Sequence, residues 1–217
     1  MSAPRREYWK IRLAKLQAAL ERKDYEVFVV ESLAEARQRV LDVIVPATKA
    51  QSVSWGGSMS FKASGLYEAL KDRPDMTVID TYDTTVTREE ILERRRRALH
   101  VDLFFTGTNA VTEAGQLVNL DNIGNRVASL TFGPRHVVVL AGRNKVVPDL
   151  EAAMSRIKRF AAPVNAIRLQ KKTPCTKTGE CEDCHSPDRI CTTWTITERS
   201  FPKGRVRVVL VNEDLGI

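Results

Sequence analysis

The sequence predicts an α/β protein with an open, Rossmann-like and mostly parallel sheet that is flanked by helices. Short β-branched runs alternate with stretches of helical periodicity in the first half of the chain, an order typical of parallel sheets. The uninterrupted apolar run 137–141 is typical of a central strand buried on both faces. With 217 residues, 43% of them hydrophobic, we expect a single domain over 1–217 that buries a sizeable core.

The predicted elements begin with an amphipathic helix within 1–22, where Leu13, Leu16 and Leu20 recur at helical spacing. Ser32, with Glu35 three positions later, has the pattern of a capping box and opens the next helix. The other predicted elements are helices over 32–45, 59–70, 88–100, 125–130 and 148–160, strands over 25–30, 53–55, 77–80, 103–106 and 166–169, a hairpin of 110–112 and 116–120, and two terminal strands over 192–197 and 205–211.

The charge balance excludes few functions, but its distribution disfavours nucleic acid as a partner. The net charge is +7, from 34 basic and 27 acidic residues. The basic residues are dispersed except for 94–97, where glutamates at i, i+4 spacing indicate a solvated helix face. No apolar stretch is long enough to span a bilayer, and the first ten residues do not resemble a signal peptide. We therefore expect a cytoplasmic protein.

All four cysteines lie in one C-terminal segment, the predicted cysteine loop 170–192. In a reducing cytosol, clustered thiols are more typical of a metal site than of disulfides. A single CxxC pair with one outlying cysteine on each side favours a [4Fe–4S] cluster over the paired spacing of structural zinc, which is the alternative. The candidate metal ligands are Cys175, Cys181, Cys184 and Cys191.

Two polar, glycine-containing segments follow predicted strands, where ligands of α/β proteins collect. Glycines after a strand let an anion approach backbone N–H groups, and an arginine offers a fork for a carboxylate. Tight turns and asparagines that only form turns are the alternative interpretation. The candidate binding residues for a small anionic metabolite are Gly56, Gly57, Ser58, Asn109, Asn119, Asp121, Asn125 and Arg126.

Three blocks, 53–61, 107–147 and 174–191, resemble the LUD (lactate utilisation) domain family, and the resemblance covers nearly the whole chain. The cysteine block is similar to one subgroup of that family. The resemblance implies the fold of the NagB/RpiA/CoA-transferase-like superfamily and a role in the metabolism of lactate or a related hydroxy acid. CoA transferases of this fold use a glutamate nucleophile, so the resemblance makes Glu113 the candidate catalytic residue.

These observations favour an iron–sulfur protein that binds a small anionic substrate and acts in hydroxy-acid oxidation or electron transfer. A one-electron cluster cannot accept a hydride, so oxidation requires a redox partner. Two alternatives stay open at this point. One is a zinc-stapled binding or regulatory module, and the other is a CoA-transferase-like or sugar-isomerase-like enzyme that uses Glu113. The oligomeric state is open as well.

Overall fold

The computed structural model describes residues 3–217, in which strands and helices alternate. The ten strands are β1 (Glu26–Val30), β2 (Ser52–Trp55), β3 (Thr77–Ile79), β4 (Leu103–Gly107), β5 (Ala110–Thr112), β6 (Leu117–Asp121), β7 (His136–Gly142), β8 (Val146–Val147), β9 (Thr193–Thr197) and β10 (Val206–Val211). The ten α-helices are α1 (Ala3–Glu21), α2 (Leu33–Arg39), α3 (Val45–Thr48), α4 (Met59–Ala63), α5 (Leu66–Leu70), α6 (Arg88–Arg97), α7 (Asn125–Thr131), α8 (Leu150–Arg156), α9 (Ala162–Arg168) and α10 (Cys175–Thr178).

The main sheet is open, has six strands in the order β1-β10-β7-β4-β2-β3, and every pairing in it is parallel. This confirms the predicted α/β fold with a parallel sheet flanked by helices. The run 137–141 lies in β7, one of the two middle strands, and is buried throughout. A strand covered on both faces needs apolar side chains on both, which explains why no polar residue interrupts this run.

Two hydrophobic cores cover the two faces of the main sheet. Side chains alternate along a strand, so Val137 and Val139 enter one core while Val138 and Leu140 enter the other. The first core is closed by α1 and α7. The second is closed by the helical segments between β1 and β3. Helix α1 corresponds to the predicted N-terminal helix, and residues 1 and 2 of that prediction lie outside the described residues.

A smaller four-stranded sheet, in the order β8-β5-β6-β9, stands beside the main one. Strands β5 and β6 form the predicted antiparallel hairpin, and β9 extends it through five residue pairs with β6. Helix α8 packs on this sheet through Ala153, which contacts the apolar side chains of β5 and β6. The two terminal strands therefore join different sheets: β9 joins the small sheet, and β10 lies between β1 and β7 in the large one.

The strand predicted over 166–169 is wrong, because these residues form the end of a helix that continues from α8 into α9. The two helices are joined without a break by the π-helical turn Ile157–Ala161, which ends two residues before Pro163. The same arrangement occurs at Val40–Ile44, which precedes Pro46. Proline lacks an N–H and its ring crowds the carbonyl one turn earlier, so a widened turn lets the helix pass through it.

Other boundaries differ from the predictions for local reasons. The helix predicted over 59–70 is interrupted at Gly65, which adopts a left-handed backbone. The helix predicted from Pro148 begins instead at Leu150, because the carboxylate of Asp149 caps it by accepting the N–H of Ala152 at 2.8 Å. Within residues 3–217, no helix is both long and apolar enough to cross a membrane.

Candidate functional site

A cleft of about 270 Å³ opens at the carboxyl ends of β2 and β4. Its walls are the segments that follow these two strands, the loop from Leu120 to Arg126, and the helical residues from Ala161 to Leu169. Ligands of open α/β sheets bind at this edge, because the loops beyond the strand ends are free of the sheet's own hydrogen bonds. The cleft is therefore the candidate functional site.

Arg126 lies in the wall of this cleft and is buried, with 8% of its surface exposed. A guanidinium has five N–H donors, and here all five are used by the protein itself. The acceptors are Asp121 Oδ1 at 2.9 Å, Asn119 Oδ1 at 2.6 Å, Asn109 Oδ1 at 3.1 Å, Gly107 O at 3.2 Å and Leu120 O at 3.4 Å. The open fork predicted for a substrate carboxylate is therefore not what the structure contains.

The partners of Arg126 are fixed in turn by the backbone. Asn109 Oδ1 accepts the N–H of Leu120 at 3.0 Å, and Asn119 Oδ1 accepts the N–H of Asn109 at 3.1 Å. The second oxygen of Asp121 accepts the N–H of Gly124 at 3.0 Å. Asn109, Asp121 and Asn125 line the cleft, whereas Asn119 is fully buried beneath it. These predicted binding residues thus come together, and most of their polar atoms hold the cleft in shape.

The three residues of the predicted glycine loop have different roles. A Cβ at Gly56 would lie 3.0 Å from Arg126 Cγ and 3.1 Å from Phe104 Cζ, so this glycine is required by packing. Its N–H and carbonyl are also used, by Phe105 and Tyr82. Gly57 and Ser58 do line the cleft. The hydroxyl oxygen of Ser58 caps α4 by accepting the N–H of Phe61 at 3.1 Å.

Besides Arg126, the cleft is lined by cations that were not among the predicted binding residues. The side chain of Arg95 is half-buried on α6 and makes no hydrogen bond or ion pair among residues 3–217. Burial lowers the pKa of its guanidinium. Arg168 bonds only to the neutral side chain of Asn165, at 2.7 and 3.1 Å. Among the described lining residues, Asp121 is the only acidic side chain, and it is paired with Arg126. The cleft is therefore electropositive.

Lys145 is the most unusual lining residue. Its side chain is almost fully buried, and its Nζ lies 2.9 Å from the hydroxyl oxygen of Ser60. Burial, with smaller contributions from the nearby charges of Arg156 and Arg126, lowers the pKa of Lys145 to about 7. The sequence contains no clear signal for it, because Lys145 ends the polar segment 143–145 that separates two apolar runs.

Glu113, the candidate catalytic residue, is not brought to the cleft. It lies in the turn between β5 and β6, where its backbone N–H donates to Val147 O at 2.9 Å. Its half-exposed carboxylate forms an ion pair with Arg12 of α1. The carboxylate has no contact with the residues that line the cleft, so we assign Glu113 no part in the function proposed below.

The four cysteines line one small cavity between the cysteine loop and α9. All four are free and partly buried, and burial raises the pKa of the Cys191 thiol. The basic side chain of Arg189 crosses the loop and donates to the carbonyls of Cys184 at 2.6 Å and Cys191 at 2.7 Å. In residues 3–217, no three side chains of His, Cys, Asp or Glu converge closely enough to hold a metal ion.

The cysteine cavity and the cleft are neighbours. Ile190, which immediately precedes Cys191, lines both of them. The helical segment from Ala161 to Ala166 also separates the two, since Ala161 faces the cleft and Ala162 faces the cysteines. Any change in the cysteine loop that moves Ile190 therefore alters the wall of the cleft.

An open parallel sheet with an electropositive cleft at its strand ends is the arrangement in which α/β proteins typically bind ligands. The model of the LUD domain family matches residues 13–211, so the chain belongs to the LUD domain family. A solved structure, a DUF162 family protein from Deinococcus radiodurans, is similar in fold at a TM-score of 0.50 and 13% identity, covering 94% of this chain and 98% of that one. No curated protein matches the chain.

The Arg126 network predicts a large stability loss on substitution. In Arg126→Met, the carboxylate of Asp121 and the amide oxygens of Asn109 and Asn119 lose the guanidinium and keep only their backbone N–H donors, which leaves the carboxylate without its counter-charge. We expect the free energy of unfolding to fall by about 3–5 kcal/mol, measured by urea denaturation. Arg73→Met is the control: it breaks a surface ion pair with Asp75, and we expect it to change stability by less than about 1 kcal/mol. A loss of free energy of unfolding in Arg126→Met as small as that in Arg73→Met would show that the network is dispensable.

Lys145 predicts a specific pH dependence of stability. Its pKa is about 7 in the folded protein and has its ordinary value of 10.5 in the unfolded chain. Between these values only the unfolded chain holds the proton, so the contribution of Lys145 to the free energy of unfolding rises with pH. We expect the wild type to gain stability relative to Lys145→Met between about pH 7 and pH 10 in urea titrations. If the difference in free energy of unfolding between the wild type and Lys145→Met stays constant over this range, Lys145 is not an uncharged, buried amine.

Proposed function

We propose that this LUD-domain protein binds a small organic anion of the hydroxy-acid class in the cleft, close to an iron–sulfur cluster held by its four cysteines. One observation carries the first part of the proposal: Arg95 and Arg168 face the cleft without a carboxylate partner among residues 3–217. A guanidinium that no protein carboxylate neutralises favours an anionic ligand. Membership of the LUD domain family supports lactate or a similar small acid as the ligand.

The size and polarity of the cleft support the same class of ligand. Its volume of about 270 Å³ is below the range of about 300–1,000 Å³ of pockets for drug-sized molecules. The lining contains several neutral donors and acceptors beside the two arginines, such as Asn122, Asn125 and Tyr82. A short carboxylic acid with one hydroxyl or carbonyl group matches this arrangement, because it presents one charge and one polar neighbour.

The donor set of the cysteine cavity supports the second part of the proposal. Four thiols that line one cavity are the ligands that a [4Fe–4S] cluster takes, and Cys175, Cys181, Cys184 and Cys191 would hold it. Lys158 and Arg189, which both pair with Asp183 at the rim, would offset part of the negative charge of the thiolates. When bound, such a cluster supplies one-electron transfer. Zinc held by the same thiols is the competing outcome.

The two sites together favour a role as an oxidoreductase component. An anion bound in the cleft would be separated from the cysteine loop by the side chain of Ile190, which lines both cavities. Oxidation of a hydroxy acid releases two electrons and a cluster accepts one at a time, so a separate redox partner completes the reaction. We propose that the partner is a protein or a cofactor bound by another subunit.

The anion site is tested by Arg95→Met. We expect this variant to bind L-lactate about tenfold more weakly in calorimetric titration, because one charged hydrogen bond to a ligand contributes roughly 1.5 kcal/mol. Arg96→Met is the matched control. It lies one position further along α6, pairs with Glu93 at the surface and removes the same charge. Equal affinity of Arg95→Met and the wild type would refute the assignment, as would the absence of binding of any small hydroxy acid to the wild type.

The cluster is tested by anaerobic purification and analysis of iron and sulfide. We expect about four irons and four sulfides per chain, and Cys181→Ser is expected to lose most of both together with the visible absorbance. His185→Ala is the control, because His185 is exposed in the same loop and does not line the cysteine cavity. A colourless protein with one zinc per chain would contradict the iron–sulfur proposal while leaving the anion site untouched.

A further inference from the structure

We propose that Lys145 is a nucleophile that forms an imine with the carbonyl group of a small oxo acid bound in the cleft. This inference rests on the proposed anion site and assigns the bound anion a carbonyl group in addition to its carboxylate. It also adds a covalent step for which neither the family nor the cysteine loop accounts.

The first support is the position of the amine. Lys145 lines the cleft, 4% of its surface is exposed, and its Nζ is held 2.9 Å from Ser60 Oγ. Ser60 is itself fully buried and donates its only proton to Leu215 O at 3.4 Å. The hydroxyl therefore accepts from the amine, and the lone pair of the nitrogen is not used by this contact.

The second support is the charge around the amine. Among residues 3–217, Lys145 has no ion pair with a carboxylate, and the charges that face it are positive. Arg156 donates only to the backbone carbonyls of Asn144 at 3.1 Å and Asn109 at 2.6 Å, so its charge is not neutralised. The charge of Arg126 is balanced by Asp121. Together with burial, these cations lower the pKa of Lys145 to about 7, which leaves much of the amine uncharged and nucleophilic at neutral pH.

The third support is the unfavourable free energy of burying a charged amine without a carboxylate partner. A buried ammonium without a carboxylate is unfavourable, and an apolar side chain such as methionine fills the same space without that cost. The contact with a single hydroxyl does not compensate for the desolvation of a full charge. A buried amine that opens on an electropositive cleft is the arrangement that activates lysine for attack on carbonyl groups.

The chemistry follows from the two functional groups of the ligand. Arg95, Arg168 and Lys145 line one cavity, so a ligand whose carboxylate binds the two arginines has its carbonyl group in the same cavity as Lys145 Nζ. The nitrogen lone pair forms the C–N bond as the carbonyl π bond breaks. The oxygen takes up the two protons that the amine gives up and leaves as water, which gives the imine. No electrons are gained or lost, and water addition reverses the step. The ligand class is a 2-oxo acid, the product of oxidation of a 2-hydroxy acid.

The experiment is reductive trapping with pyruvate. The full-length protein is incubated at pH 7.4 with pyruvate and sodium cyanoborohydride, and the adduct is measured by intact mass and located by peptide mapping. We expect a single adduct at Lys145, formed on the order of a hundredfold faster than at an average exposed lysine, whose neutral fraction is about a thousandth at this pH. Adducts spread over surface lysines, with none enriched at Lys145, would overturn the inference.

Two variants and one binding measurement make the outcome specific. Lys145→Met is expected to lose the rapid adduct. Lys62→Met is the matched control, since Lys62 is an exposed lysine on the same helix as Ser60 and does not line the cleft. Mapping of the wild type alone decides the question if Lys145→Met does not fold. L-lactate, which has no carbonyl to attack, is titrated in parallel: binding of lactate without the adduct refutes only the imine, whereas absence of both refutes the anion site and the imine together.

Discussion

The buried guanidinium of Arg126 is the interaction on which the site depends. From the first turn of α7 it bonds to the end of β4 and to strand β6, and its aliphatic part packs against Gly56 beyond β2. Loops at the end of a parallel sheet have no ladder to hold them, so a charge with five acceptors replaces the missing hydrogen bonds. The walls of the cleft are fixed relative to one another because they share this one group. Because all five of its donors are used, Arg126 has none left for a ligand.

The division between structural and available charge gives the cleft its chemical character. Asp121 neutralises Arg126, and no other acidic side chain among the described residues lines the cleft, so Arg95, Arg168 and Lys145 define its potential. The three differ in their surroundings. The two arginines stay charged in any protein environment, whereas burial allows the lysine to lose its proton near neutral pH. Two arginines that stay charged are suited to bind an anion, and a lysine that loses its proton near neutral pH is suited to act as a nucleophile.

The cysteine loop extends the functional surface around α9. Its four thiols line one cavity, but among the described residues no three of them lie close enough together to hold a metal ion. Arg189 donates hydrogen bonds to two backbone carbonyls of the loop. The π-helical turn Ile157–Ala161 runs into α9, and the residues at this junction, Ala161 and Ala162, contact the cleft and the cysteines respectively. The irregular helix thus forms a thin partition between the two sites. Ile190 completes this partition, so the two cavities share one wall.

The sequence by itself determined the α/β class, most of the main strands, the hairpin, and the two segments that form the cleft. These features depend on local periodicity and on the residues that follow strands, and both can be recognised in the order of residues alone. It did not predict the helix over 166–169, because a π-helical turn that accommodates Pro163 has no periodic signal. It also did not show that Glu113 lies away from the cleft or that Arg95, Arg168 and Lys145 line it. Whether a charged side chain is saturated, exposed or buried without a partner depends on groups far apart in sequence, so only the tertiary structure decided it.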